Sequence, residues 1–475
     1  MSDISDISDT SDTSDAIISA SFRDPCGFLF LRDNILYRQV NITYKENYLR
    51  LMDSGLYKRL VQEKLLVPHE EMAIPFCRDR ENEGYKVLKP EKISFISYPY
   101  EWCFSQLKDA ALTIIQIQKL AFEKGMILKD SSAYNIQFHR GKPVLIDTLS
   151  FEIYKEGEPW VAYGQFCRHF LAPLALMSYK DVRLNQLARI YIDGIPLDLA
   201  ISLLPFSSRL SMSLYMHIFL HGWSQNRYEN KALAPTSPAN SRNVSRLGFQ
   251  GIIASLEKAV KKLEWKPGGT EWDNYYTATN YSPAALEHKK EILSGYIDRA
   301  IPGGVWDLGA NTGLFSRIAT NKGIPTVAFD IDPSAVEKNY LVAKEKGETL
   351  LLPLLQDLTN PSPGIGWDNR ERTSFLGRGP VDLIFCLALV HHLAIANNVP
   401  LGRIALFLSR LCRFLVLEFI PKDDSQVQRL LATREDVFPT YTKESFEEEF
   451  SRYFNILDSI LIKDSKRALY LLKKK

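Results

Sequence analysis

Val305–Ala319 reads VWDLGANTGLFSRIA: an apolar strand, a turn holding two glycines, and a helix that begins with no linker between. A strand that turns directly into a helix opens a parallel α/β sheet. Gly309 and Gly313 let backbone come close to a ligand, and the amides at the start of the helix favour an anion. The next strand, Thr326–Phe329, ends at Asp330, about twenty residues beyond Gly309, where a carboxylate can accept both hydroxyls of a ribose. Asp332 competes for that role. Asp357 follows the apolar run Thr349–Leu355 and is placed to accept an amino group from a purine ring. A fourth strand, Val381–Phe385, runs into CLALVHHL, which puts His391 and His392 beyond the carboxyl edge of the sheet, where open α/β folds bind ligands.

These segments, in this order, resemble the class I S-adenosylmethionine-dependent methyltransferases. The likeness covers most of Asn274–Leu472. In that family the pattern is acid-x-G-x-G-x-G, and here Asn311 stands at the middle glycine. FLVLEFIP resembles the family's fifth strand, SFEEEFSRYF its last helix, and FNILDSILI with ALYLLKK its closing antiparallel pair. The resemblance implies a Rossmann-like sheet, S-adenosyl-L-methionine as cofactor, and Asp307, Gly309, Asn311, Gly313, Asp330 and Asp357 as its binding residues. A dinucleotide-binding dehydrogenase shares the strand, the glycine turn and the later acid, but not Asp307 at the head of the motif or the final antiparallel pair.

Methyl transfer asks the protein mainly to align donor and acceptor and to remove a proton; it requires no metal. His391 and His392 are the candidate catalytic bases, since imidazole titrates near neutral pH. The competing reading is that one histidine packs or caps while the other lines the pocket. Upstream, Trp272, Tyr275, Tyr276, Asn280 and Tyr281 sit where such families place a flap over the donor; aromatics there also serve simply to dock the segment. No D-P-P-Y or N-P-P-Y follows the fourth strand, and no proline precedes Cys386, which argues against amino-methylating nucleic-acid enzymes and against a cysteine nucleophile.

At 475 residues the chain suits two or three domains. Ser2–Asp15 is a tandem SDI/SDT repeat with no aromatic residue, so residues 1–20 are read as a disordered tail. Residues 21–223 form a first domain, 224–246 a polar, proline-containing linker, and 247–475 the second domain. The formal charge of +2 gives no strong nucleic-acid signal. No apolar run reaches the length of a transmembrane segment, and the six widely spaced cysteines form no C-x-x-C pair, so a reducing, cytoplasmic location is expected. The Lys473–Lys475 run reads as a solvated end.

In the first domain the pattern predicts a hairpin over Gly27–Val40, a helix from Tyr44 to Leu66, two strands around Tyr85–Tyr98 and a long helix from Phe104 to Lys124. LKDSSAYNIQF and VLIDTLSFE then resemble the catalytic and metal-binding loops of kinase-like phosphotransferases, with Asp130, Asn135 and Asp147 in matching order. The resemblance implies an α+β kinase-like domain. Leu128-Lys129 in place of His-Arg, Thr148-Leu149 in place of Phe-Gly, the missing glycine-rich loop and Arg38 in place of the nucleotide lysine depart from it, so a degenerate domain is expected. On the simpler reading Asp130 and Asn135 shape a turn. Across the whole chain, YPYEW, LKDSSAYN, LIDTLSFE and TEWDNYY resemble bacterial methyltransferase-like proteins related to the nodulation protein NoeA. That resemblance implies a small-molecule or glycan-linked acceptor, not identified further. The alternatives are a bifunctional protein with phosphotransferase activity and a kinase-like adaptor whose second domain senses the donor.

Overall fold

A computed structural model describes residues 15–76, 83–223, 244–268, 281–432 and 435–475. The repeat up to Ser14, most of the 224–246 linker, Cys77, and Trp272, Tyr275, Tyr276 and Asn280 lie outside the described residues.

The first half opens on a five-stranded sheet: β1 (Ala16–Ile17), β2 (Gly27–Arg32), β3 (Ile35–Asn41), β4 (His69–Met72) and β5 (Gly84–Pro90), in the spatial order β1-β2-β3-β5-β4. The disorder expected over residues 1–20 does not hold for its end, because Ala16–Ile17 pair antiparallel with Phe30–Leu31 and Asp15 pairs with Arg32 at 2.6 Å. β2 and β3 meet at Asp33-Asn34, whose φ values of 52° and 61° give the turn geometry that matches strand twist. The helix expected over Tyr44–Leu66 is two helices, α1 (Lys45–Asp53) and α2 (Leu56–Gln62), because Gly55 takes φ +72° between them. Only one strand, β5, forms in Tyr85–Tyr98. The apolar residues that follow it are buried for a different reason: Phe95 packs edge-on against Trp306 and Phe329 of the second half, with centroids at 5.5 and 5.8 Å. Helix α3 (Phe104–Glu123) stops at Gly125, φ +71°. β6 (Met126–Leu128) pairs with β9 (Phe151–Ile153), and β7 (Ile136–His139) with β8 (Lys142–Leu145) across the Arg140-Gly141 turn. Short helices, including α4 (Ala172–Tyr179) and α5 (Leu197–Leu203), complete this half.

Helix α6 (Arg246–Lys262) lies on the first half. Phe249 stacks on Phe122 of α3 at 4.5 Å, and Ser255 meets His217 Nε2 at 2.8 Å. Helix α7 (Pro283–Ala300) starts where Ser282 accepts the Ala285 amide at 3.1 Å, with proline in its first turn. The seven-stranded sheet then runs β12-β11-β10-β13-β14-β16-β15. Its strands are β10 (Val305–Leu308), β11 (Thr326–Asp330), β12 (Leu351–Leu355), β13 (Val381–Cys386), β14 (Cys412–Phe419), β15 (Phe454–Leu461) and β16 (Ala468–Lys474). The strands from β12 to β14 are parallel, while β16 runs antiparallel to both neighbours. Helices α8 (Ser316–Asn321), α9 (Pro333–Lys346), α10 (Leu401–Leu411), α11 (Ser425–Leu431) and α12 (Lys443–Ser451) accompany them. The chain leaves β10 toward β11 and β12, then returns to β13 on the other side. That reversal opens a crevice at the carboxyl ends of β10 and β13.

The halves share one apolar core, continuous from Trp102 and Leu107 to Trp306, Leu354 and Phe375. Polar contacts rim it: Ser105 donates to Glu337 on α9, and Tyr340 donates to Asp109 at 2.7 Å. Among the described residues no helix is long and apolar enough to cross a membrane. Phe95→Ala removes the ring that fills the seam and should cost about 3 kcal/mol. Urea unfolding followed by tryptophan fluorescence checks this, and a loss below about 1 kcal/mol would mean the seam contributes little to stability.

Candidate active site

Asp330 ends β11 with each carboxylate oxygen held by a backbone amide: Oδ2 accepts Asn311 N–H at 2.7 Å and Oδ1 accepts Asp332 N–H at 2.9 Å. Burial pushes its pKa up to about 6, and those amides pull the other way. Asp332 caps α9 by accepting the Ser334 amide at 2.9 Å, and it does not line the cavity. Asn311 has φ +49°, a left-handed conformation that asparagine tolerates better than most residues. Its side chain accepts the Thr312 amide at 2.8 Å, which explains how this position works without glycine. Gly309, φ +76°, turns the chain so that its own amide and that of Ala310 donate to Phe329 O, each at 2.9 Å. Gly313 also has positive φ, but a Cβ there would meet the Asn339 amide at 2.6 Å. Its lack of a side chain admits α9 instead of a ligand.

A cavity of about 360 Å³ sits at the carboxyl edge, within the range of small-molecule sites. It brings together Asp307, Gly309, Asn311, Asp330, Asp357 and His392; Gly313 and His391 are not on its wall. Asp307 accepts the Ser316 hydroxyl at 2.6 Å, and burial pushes its pKa up to about 7. Asp357 accepts the amide and hydroxyl of Thr359 at 2.8 and 2.6 Å. Ala388 lines the wall in the left-handed region, φ +49°, where a side chain is strained.

Lys289 and Tyr281 also face this cavity, though the motifs did not mark Lys289. The Lys289 ammonium is 2.7 Å from Glu418, with both side chains at most 2% exposed. Tyr281 donates to Glu418, and Arg467 lies over the Tyr281 ring while pairing with Asp424 at 2.8 Å. Burial lowers the Lys289 pKa, and Glu418 opposes that shift. A glutamate inside the apolar run FLVLEF was the available signal, since a buried charge on a strand demands a partner.

A relative of known name matches almost end to end: the nodulation protein NoeA of Rhizobium meliloti (strain 1021) is 32% identical over 465 residues, covering 95% of each chain. The chain belongs to the NoeA family. No family model matches it. Among solved structures, the bifunctional kinase-methyltransferase WbdD aligns at 15% identity over 44% of this chain and 43% of its own, with a TM-score of 0.30. The magnesium protoporphyrin IX methyltransferase ChlM from Synechocystis PCC 6803, with bound SAH, aligns at 18% identity over 43% of this chain and 93% of its own, with a TM-score of 0.31.

In this NoeA-family chain the two histidine rings lie 4.1 Å apart. Burial lowers the His392 pKa to about 4 and holds that of His391 well below its ordinary value. The Cys386 thiol is fully buried, which pushes its pKa up and keeps it from acting as a nucleophile. In the first half, Asp147 is already occupied. Its Oδ1 lies 2.8 Å from Arg38 and accepts the Leu149 amide, and Oδ2 accepts the Ser150 hydroxyl. Asp130 accepts the Ser132 amide at 2.9 Å, and burial raises its pKa. Asn311→Val puts a β-branched residue at positive φ and should cost about 2 kcal/mol, while Asn311→Gly stays within about 1 kcal/mol of the parent. Thermal unfolding of both variants checks the order; equal losses would mean the backbone conformation is not the constraint.

Proposed function

We propose that this NoeA-family protein is an S-adenosylmethionine-dependent methyltransferase of class I architecture. The observation that carries this reading is the Asp330 carboxylate, fixed by two amides at the wall of a cavity that also holds the Gly309 turn. Each oxygen keeps acceptor capacity for one hydroxyl of a ribose. Asp357 and Gln356 form the wall suited to the purine, and Asp307 and Lys289 offer opposite charges to an amino acid's ammonium and carboxylate. The strand order of the second half supports the same reading. When bound, the cofactor supplies a methyl carbon activated by sulfonium charge. The protein's part is to hold donor and acceptor in line, with His392 on the cavity wall as the group we assign to take the proton that an acceptor hydroxyl gives up. The acceptor class we favour is a small molecule or glycan-linked group, and the buried free cysteines fit a cytoplasmic setting.

For residues 21–223 we infer a kinase-like fold, with the second domain beginning after α6 instead of at 247. Within those residues the order β2-β3-β5-β4, the helix pair between β3 and β4, and the proximity of Asp130, Asn135 and Asp147 support it. With Asp147 engaged by Arg38, Leu149 and Ser150, this domain serves as a brace or acceptor-binding surface on our reading, and phosphotransfer is the alternative.

Calorimetry of the purified protein with S-adenosylmethionine, magnesium-ATP and NADH separates these readings. The expected result is donor binding, weakened about tenfold or more in Asp330→Ala, which is about 1.4 kcal/mol, with no response to NADH. A magnesium-ATP signal lost in Asp147→Ala would restore the phosphotransferase reading, and absence of donor binding would refute the main one. Because Asp330 and Asp307 bind best ionised and their pKa values are raised to about 6 and about 7, donor affinity should climb as pH rises from 5 to 8. A flat profile across that range would remove Asp330 from the contact.

A further inference from the structure

The YPYEW run, Tyr98–Trp102, belongs to the first half, yet its side chains reach the segment that joins β12 to β13 on the second. Glu101 is 1% exposed and carries a charge, so it must be paired. Arg378 pairs with it through both nitrogens, Nη2 to Oε1 at 2.5 Å and Nη1 to Oε2 at 2.8 Å, while Oε2 also accepts the Tyr98 amide at 2.9 Å. The Arg378 guanidinium is sandwiched among Phe95, Tyr98 and Phe375. Tyr98 adds a second grip on the same segment by accepting the Thr373 amide at 2.7 Å.

One contact continues inward. The Ser362 hydroxyl lies 3.2 Å from Glu101 Oε1 and 3.2 Å from Gln356 Oε1, both acceptors, so its single hydrogen is shared between them. Gln356 is on the cavity wall; its amide nitrogen donates to Asp357 O at 2.9 Å, and its backbone amide to Asp330 O at 2.8 Å. A charge on the first half is thus two hydrogen bonds from Gln356 on the cavity wall.

We infer that Glu101 is a positioning residue of the donor cavity, acting through Ser362 on Gln356, so that the first half completes a binding site that lies wholly on the second. This rests on the donor reading above. The carboxylate anchors Arg378 and thereby the whole β12–β13 segment; Ser362 transmits that anchorage to the Gln356 side chain. The first half therefore sets the cofactor affinity without touching the cofactor.

The test is equilibrium binding of S-adenosylmethionine and of adenosine to the full-length protein, with melting temperatures measured alongside. Ser362→Ala leaves the Glu101–Arg378 pair intact and should raise both dissociation constants about fivefold with little change in melting temperature. Glu101→Gln should raise them at least as much, and the double variant should bind no more weakly than Glu101→Gln alone, because the two residues act in series. Should Glu101→Gln fail to fold, Ser362→Ala decides by itself. Parent-like affinity in folded Ser362→Ala, or fully additive losses in the double variant, overturns the proposal while the donor reading stands. A parent protein that binds neither ligand overturns both.

Discussion

Two backbone amides converging on one half-buried carboxylate organise this molecule. Asp330 sits at the end of its strand in surroundings that disfavour charge, and it is tolerable there because the turn after β10 and the turn after β11 each aim an N–H at it. The arrangement works in both directions. The carboxylate fixes the left-handed Asn311 and the start of α9, and those turns leave the remaining lone pairs facing the cavity. The crevice, the entry of α8 and the register of β10 against β11 all follow from holding that one junction.

A second constraint borders the same cavity at Lys289 and Tyr281. Lys289, Glu418, Arg467 and Asp424 form an alternating string of buried charges, with Tyr281 bonded into it. Removing Glu418 would leave the Lys289 ammonium buried without its counterion, a cost that commonly exceeds what the intact pair contributes. The string also crosses elements distant in sequence, tying α7 to β14 and to the turn before β16.

What could be read from the residue order follows from how local each feature is. The glycine turn, the Ser282-Pro283 helix start and the Asp33-Asn34 hairpin are written within a few consecutive residues, and all three form. Asp330 and Asp332 were indistinguishable by position, because only geometry reveals which of two acids caps a helix and which faces a cavity. Lys289 was hidden because its partner lies 129 residues away. Phe95 misled for a related reason: a run of apolar residues looks the same whether it is buried inside a sheet or pressed against a neighbouring unit. Gly55 within a helical pattern was ambiguous, since a lone glycine is tolerated in a helix as well as ending one. The pattern put the two histidines beyond the sheet, but that His392 lines the cavity while His391 does not, and that burial lowers both pKa values, was not written in it.

The apolar seam between the halves also bears on descent. Neither half ends in a surface that water would accept: separating them would bare Phe95 and Trp102 on one side and Trp306, Leu354 and Phe375 on the other. A gene split at the junction would yield two sticky fragments, and shuffling either half onto another partner would require a matching oily face. A substitution that changes volume on one side of the seam therefore has to be absorbed by packing on the other.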